Sequence, residues 1–223
     1  STATVKSPAP LLAMNLRPLK CLLILCTSMM SPLLFASETA EQTQGATAWV
    51  NACKDWDDWD KPGPPFKVYG NTYYVGTCGI SALLITGEEG HVLIDGGTEA
   101  GASVIAENVR TLGFRLRDIK VLLHSHEHFD HVAGLAELKK MSGARLFASA
   151  DAAPVLTSGV VSDKDPQANM HDAFPAVEVD AVLNLAEPVV LGDLRLQAYA
   201  TPGHTYGALS WQWQSCEATS CVN

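Results

Sequence analysis

Residues 118–141 read DIKVLLHSHEHFDHVAGLAELKKM, and this stretch constrains the fold more than any other. It opens with DIKVLL, an apolar run of strand length. It closes with HVAGLAELKKM, which puts Val132, Leu135 and Leu138 on one helical face and stops at Ser142 and Gly143. Between them, HSHEHFDH places four of the chain's seven histidines, with a glutamate and an aspartate, in the connection. A strand passing directly into a helix predicts mixed α and β structure around a sheet, with the polar chemistry on loops at strand ends.

The flanking sequence extends this pattern. FKVYGNTYYVG, ISALLITG and HVLIDGG are β-rich runs separated by glycine-containing turns. Thr98 to Leu112 reads as a helix, with Ala102, Ile105, Ala106 and Val109 at helical spacing and Gly113 as its stop. ARLFAS is a further strand and ADAAPVLT a short helix. A loop follows over 157–176, then the strands PVVLG, LRLQAYA and GALSWQWQ. There is no internal repeat.

The N-terminal region differs from the rest. Residues 1–36 contain Lys6, Arg17 and Lys20 but no acid, followed by the apolar run CLLILCTSMMSPLLFA. This predicts a secretory signal peptide beginning at Met14 and cleaved after Ala36, with 1–13 as upstream readthrough or a cloning artefact. The apolar run is short for a membrane span. The remaining 37–223 is expected to be one domain, periplasmic or secreted, with no membrane association after cleavage. Residues 37–65 read as irregular. A composition of 47% hydrophobic and 17% charged residues suits a globular domain, and a net charge of −9 argues against a nucleic-acid partner. Cys53, Cys78, Cys216 and Cys221 form an even set suited to an oxidising compartment. Three pairings are open. Proximity in sequence favours Cys53–Cys78 and Cys216–Cys221.

His126 and His128 lie two apart, so in extended backbone their side chains point the same way and can grip one metal. Asp130 and His131 follow at the helix start, where they can converge on a second point. H-x-H-x-D-H thus offers two ligand pairs a few ångströms apart, as a two-metal site requires. TPGHTYG turns at Pro202 and Gly203 and presents His204 from a strand-end loop, the natural third imidazole for the first metal. Imidazole and carboxylate without thiolate suit catalytic zinc, with iron or manganese also compatible. Asp95, in LIDGG, is either a turn residue or a carboxylate that orients a ligand histidine. His124, Glu127, His91 and His171 fall outside the expected ligand set, Glu127 either facing solvent or supporting the site.

LIDGG, HSHEHFDH and TPGHT together resemble the metallo-β-lactamase superfamily. More narrowly, NTYYVGTCGISALLITGEEGHVLIDGG, SHEHFDHVAGLAEL, the DPQ of 165–167 and TPGHTYGALSWQW resemble the third subclass of true metallo-β-lactamases. The resemblance runs from about Ala52 to the last residue. It implies an αββα sandwich, His126, His128 and His204 on a first zinc, and Asp130 and His131 on a second. Asp130 would also orient the nucleophile. It implies zinc-dependent hydrolysis of the β-lactam ring of antibiotics, hence resistance, and both favoured disulfides fit it. Alternatives are a lactone or thioester hydrolase of the same fold and an inactive zinc-binding fragment. Tyr206 departs from the family, where proline is usual. The family's second zinc also takes a further histidine from the C-terminal part of the fold, which carries a substrate-contacting serine strand as well. Neither occurs before Asn223, so the chain is expected to be a fragment or a defective form, holding at most one zinc tightly.

Overall fold

The computed structural model describes residues 33–218 and 220–223. Most of the expected signal segment, with Met14, Cys21 and Cys26, lies outside the described residues. The described residues open with helix α1, Leu33–Ala52, followed by strands β1 Phe66–Tyr69, β2 Thr72–Tyr74, β3 Leu83–Gly87 and β4 Gly90–Ile94. Next come α2 Gly101–Thr111, β5 Ile119–Leu123, the short helices α3 Phe129–Val132 and α4 Leu135–Ser142, β6 Arg145–Ala148 and α5 Ala152–Ser158. The last elements are β7 Ala181–Val182, β8 Val189–Leu191, β9 Leu194–Ala200, β10 Leu209–Trp213, β11 Ser215–Glu217 and β12 Ser220–Val222.

Strands β1 to β7 form a seven-stranded sheet in sequence order. Short turns join β1 to β4, so these pair antiparallel. Helical crossovers join β4 to β5 and β5 to β6, and those pairs are parallel, because a tight turn cannot return a chain to the same direction. The C-terminal ends of β4, β5 and β6 therefore lie at one edge, where ligands bind in open sheets of this kind. A second antiparallel sheet has the order β10–β9–β8.

Two cores hold these layers together. Leu84, Leu93 and Leu122 face the helices and pack with Ile105, Val109, Leu135 and Leu138. Ile85, Val92, Ile94, Val121 and Leu123 face the other way and pack on Val189, Leu194 and Leu196 of the small sheet. Adjacent residues of β4 and β5 thus enter opposite cores, and for this reason both strands read as unbroken apolar runs. The other face of the small sheet, with Arg195, Tyr199, Ser210 and Gln212, is exposed. Helices, large sheet and small sheet stack as a layered, mixed α/β fold, as expected.

Three departures from the sequence reading have local causes. Residues 37–52, expected to be irregular, belong to α1, which also crosses the expected cleavage point. Ala, Glu and Gln favour helix there, but no apolar stripe marks it. The end of α1 is fastened by the Cys53–Cys78 disulfide and by Trp49 set edge-on to Tyr74 at 5.7 Å. The helix expected from Thr98 starts at Gly101, whose N–H donates to Thr98 Oγ1 at 3.0 Å. Finally, the single helix expected over 131–141 is split into α3 and α4.

Gly134 is the reason for the split. Its N–H donates to Gly97 O at 3.1 Å, and the N–H of Gly96 donates to His131 O at 2.8 Å. A Cβ on Gly134 would lie 2.1 Å from Gly96 O. The two backbones touch, and the helix must break to let them. Gly134→Ala should therefore destabilise the protein by about 2–3 kcal/mol, the upper range for overpacking a rigid contact. Denaturant unfolding would measure this, and a change below 0.5 kcal/mol, on the scale of an ordinary surface substitution, would show that the contact yields.

Candidate metal centre

The site lies at the sheet edge where β4 and β5 end. Leu123 closes β5, and His124 to His128 run on as a loop before α3. Asp95 follows β4 directly, and its φ of +68° is unusual for a residue with a side chain. That turn aims the carboxylate across at the β5 loop. Its Oδ1 accepts from Ser125 N–H at 2.6 Å and its Oδ2 from Ser125 Oγ–H at 2.7 Å. Oδ2 also lies 2.9 Å from His131 Nδ1. His204 comes from the small sheet, on the loop between β9 and β10, where Gly203 N–H donates to Thr205 O at 3.1 Å.

These loops bring two donor sets together. His126, His128 and His204 offer three ring nitrogens within 4.8 Å of one another, and one atom each of His126, Asp130 and His131 meets the same limit. His128 is buried, His126, Asp130 and His131 are half-buried, and His204 is exposed, so the set opens to solvent on one side. His126 belongs to both sets and sits centrally, with ring centroids 4.1 Å from His131, 4.8 Å from His204 and 5.1 Å from His128. Asp130 Oδ2 is 3.5 Å from His131 Nε2.

Neighbouring groups fix which nitrogen each ring presents. His128 Nε2 lies 3.2 Å from both oxygens of Asp165, so the ring proton belongs on Nε2. Nδ1 then turns a lone pair toward His204 Nε2, 3.0 Å away. Ser125 Oγ is 3.1 Å from His126 Nδ1, which leaves Nε2 for the cluster. Burial, and then the charge of His131, push the His126 pKa down to about 3, so this ring is neutral at physiological pH. At His131, burial opposes the charged form, but the hydrogen bond the ring donates to Asp95 and the charges of Asp95 and Asp130 outweigh it and raise the pKa. Imidazoles, a carboxylate and no thiolate make a donor set that fits a divalent cation such as zinc. Histidine ligands oriented by buried carboxylates are the usual arrangement around such ions.

Over residues 75–217 the sequence matches the family described as "Metallo-beta-lactamase superfamily". The chain belongs to the metallo-β-lactamase superfamily. Among solved structures it is similar to MIM-2 metallo-β-lactamase, at 59% identity and a TM-score of 0.75, covering 77% of this chain and 64% of that one. It is also similar to MEM-A1, a subclass B3 metallo-β-lactamase from a soil metagenome library, at 46% identity, a TM-score of 0.70, and 74% and 62% coverage. Among curated relatives, the hydroxyacylglutathione hydrolase of Methylobacterium nodulans is 38% identical over 106 residues, which is 48% of this chain and 32% of that protein. The chain spans about a third of that hydrolase and under two thirds of MIM-2. Metal binding is the common property of the superfamily, and both donor sets fall within the matched residues.

Several residues that build the centre carry no mark in the sequence. Ser125 joins Asp95 to the His126 ring. Asp165 was noticeable only within the word DPQ, 37 residues from the histidine it holds. Glu127 is buried at 3% exposure and does not face solvent. His124 is outside both donor sets. It is fully buried, its Nε2 accepts from Ser149 N–H at 3.1 Å, and burial lowers its pKa to about 4. His171 lies near the site without joining it, its Nε2 2.7 Å from Gln167 Oε1. His91 packs against Phe114 away from the cluster. Asp165→Ala frees the His128 ring and should weaken metal affinity roughly 10- to 100-fold, the usual cost of losing such a support. Competition against a chromophoric chelator would measure it, and an unchanged affinity would show that Asp165 does not orient the ring.

Proposed function

We propose that this site hydrolyses the amide of β-lactam antibiotics with two zinc ions, the first on His126, His128 and His204, the second on Asp130 and His131. What carries this reading is the pair of adjoining donor sets at the sheet edge, in a chain 59% identical to a metallo-β-lactamase over most of its length. In the complete protein this chemistry would confer antibiotic resistance. Residues 37–223 would form the catalytic domain and 1–36 an export signal to the periplasm or exterior, a placement that the two disulfides support. Among the described residues no helix is long and apolar enough to cross a membrane.

Hydrolysis adds water across the lactam C–N bond, so a proton must leave the attacking water and one must reach the ring nitrogen. Zinc bound here supplies Lewis acidity, lowering a water's pKa toward neutrality and polarising a carbonyl oxygen. Asp130 would accept a hydrogen bond from the attacking water, orient it and hold its proton for transfer. Asp95 keeps His131 turned toward Asp130, and Asp165 keeps the His128 ring fixed. The exposed flank at His204 leaves room for the substrate to approach. No covalent intermediate on the protein is required, and the sequence has no SxxK or GxSxG nucleophile motif.

The two donor sets share His126, which can serve only one ion at a time through the nitrogen that Ser125 leaves free. The first ion should therefore bind tightly on three imidazoles and the second more weakly. A second reading, hydrolysis of a glutathione thioester, is favoured by the hydroxyacylglutathione hydrolases among the relatives. To separate them, the purified protein would be titrated with zinc and assayed on nitrocefin, a carbapenem and S-lactoylglutathione. One tight and one weak zinc, with ring opening that grows as the second binds, supports the proposal. Thioester cleavage without lactam cleavage at saturating zinc would overturn it. His128→Ala should lower zinc content and turnover together, and unchanged stoichiometry would remove His128 from the site.

A further inference from the structure

Glu127 stands between the two histidines of the first donor set, and strand alternation turns it away from them. It is not among the donor groups of either set. Yet its side chain lies in the interior, and its two oxygens take separate partners on the His204 loop. Oε2 accepts from Thr205 Oγ1–H at 2.6 Å and Oε1 accepts from Gly207 N–H at 2.8 Å. These contacts span 78 and 80 residues and join the end of β5 in the large sheet to the β9–β10 loop of the small one. Thr205 is itself buried at 1% exposure, next to the exposed His204. Gly207 has no room for a side chain: a Cβ would lie 2.7 Å from both Glu127 Oε2 and Ala152 N.

We propose that Glu127 is a positioning residue that assembles the first donor set, holding the His204 loop against the loop of His126 and His128. A carboxylate this deeply buried is costly unless its oxygens are satisfied, and here both loop donors satisfy it. The loop has other anchors, Ser149 Oγ donating to Gly207 O at 2.8 Å and Leu209 N–H donating to Ser125 O at 2.6 Å. Both lie on the strand side of Thr205. Glu127 is the group that fixes the segment immediately following His204, so it sets how far that ring reaches toward its partners. The inference rests on the reading of the first set as a zinc site.

The experiment compares wild type, Glu127→Ala and Glu127→Gln by zinc affinity and by hydrogen exchange of the metal-free protein. In Glu127→Ala, zinc should bind the first site roughly 10- to 100-fold more weakly. Amides of 203–208 should exchange faster, while those of the buried strand Ile119–Leu123 stay protected. Glu127→Gln keeps an acceptor for Gly207 and a partner for the Thr205 hydroxyl, so it should restore both readouts. If it is as weak as the alanine variant, charge rather than positioning is at work and the proposal is wrong. If Glu127→Ala does not fold, Thr205→Val removes one arm with little change of shape and should weaken zinc and loosen the same loop. A folded variant of either kind with unchanged affinity and exchange overturns the proposal. Wild-type protein that takes up no zinc would instead overturn the metal-site reading, and the exchange comparison would still decide the role of Glu127.

Discussion

The Asp95 carboxylate is the joint on which this end of the protein depends. It leaves β4 in a left-handed backbone conformation and engages both its oxygens with the neighbouring loop, on the Ser125 amide, the Ser125 hydroxyl and the His131 ring. Backbone contacts reinforce it, Asp95 N–H to Leu123 O and Gly96 N–H to His131 O. The β4 turn, the β5 loop and the start of α3 are therefore fastened to one another. The split between α3 and α4 follows from the same contact, because the Gly96–Gly97 backbone occupies the space a continuous helix would need. A short charged residue is required here. Asparagine would keep the size but lose the charge that opposes burial at His131.

Electrostatics divides the cluster in a way that spacing alone does not. His126 has imidazoles on three sides, and burial with a cationic neighbour keeps it neutral. His131 has carboxylates on two sides, and these favour its protonated form when no ion is present. An ion arriving at the first set meets a His126 ring that burial keeps neutral, whereas one arriving at His131 meets a ring whose protonated form two carboxylates favour. Together with the sharing of His126, this makes the two positions unequal from the chain's own residues.

Much of this was legible because it is local. The H-x-H-x-D-H spacing sits between a strand and a helix, so the grouping of His126, His128, Asp130 and His131 follows from a few residues of backbone. His204 was legible through the turn at Pro202 and Gly203, and the apolar runs of β4 and β5 read as strands. What was not legible depends on distance in sequence. Nothing near Asp165 points to His128, and nothing near Glu127 points to Thr205. Strand alternation turned Glu127 away from the histidines, which is correct, but away from the histidines is toward a second loop and not toward water. The α3–α4 break was invisible for the same reason: periodicity reports which face is apolar, not that a glycine backbone must pass there. Helix α1 was missed for the opposite reason, since it has helix-forming residues without an apolar stripe.

The first donor set draws two rings from the large sheet's edge and one from the small sheet's loop. An ion held by all three ties the sheets together at a place where the apolar core has already ended. Binding to the native state alone stabilises it, by an amount that grows with the logarithm of free ligand over Kd, so part of the binding free energy goes into fixing the relative position of the two loops. The Glu127 carboxylate makes the same connection without an ion, from the opposite side of the β5 loop. The loops are thus gripped on two faces, by protein on the buried face and by the imidazoles on the open one. Preorganisation of this kind lowers the ordering cost of binding, and it explains why a residue that touches no ligand atom is buried at the centre of the motif.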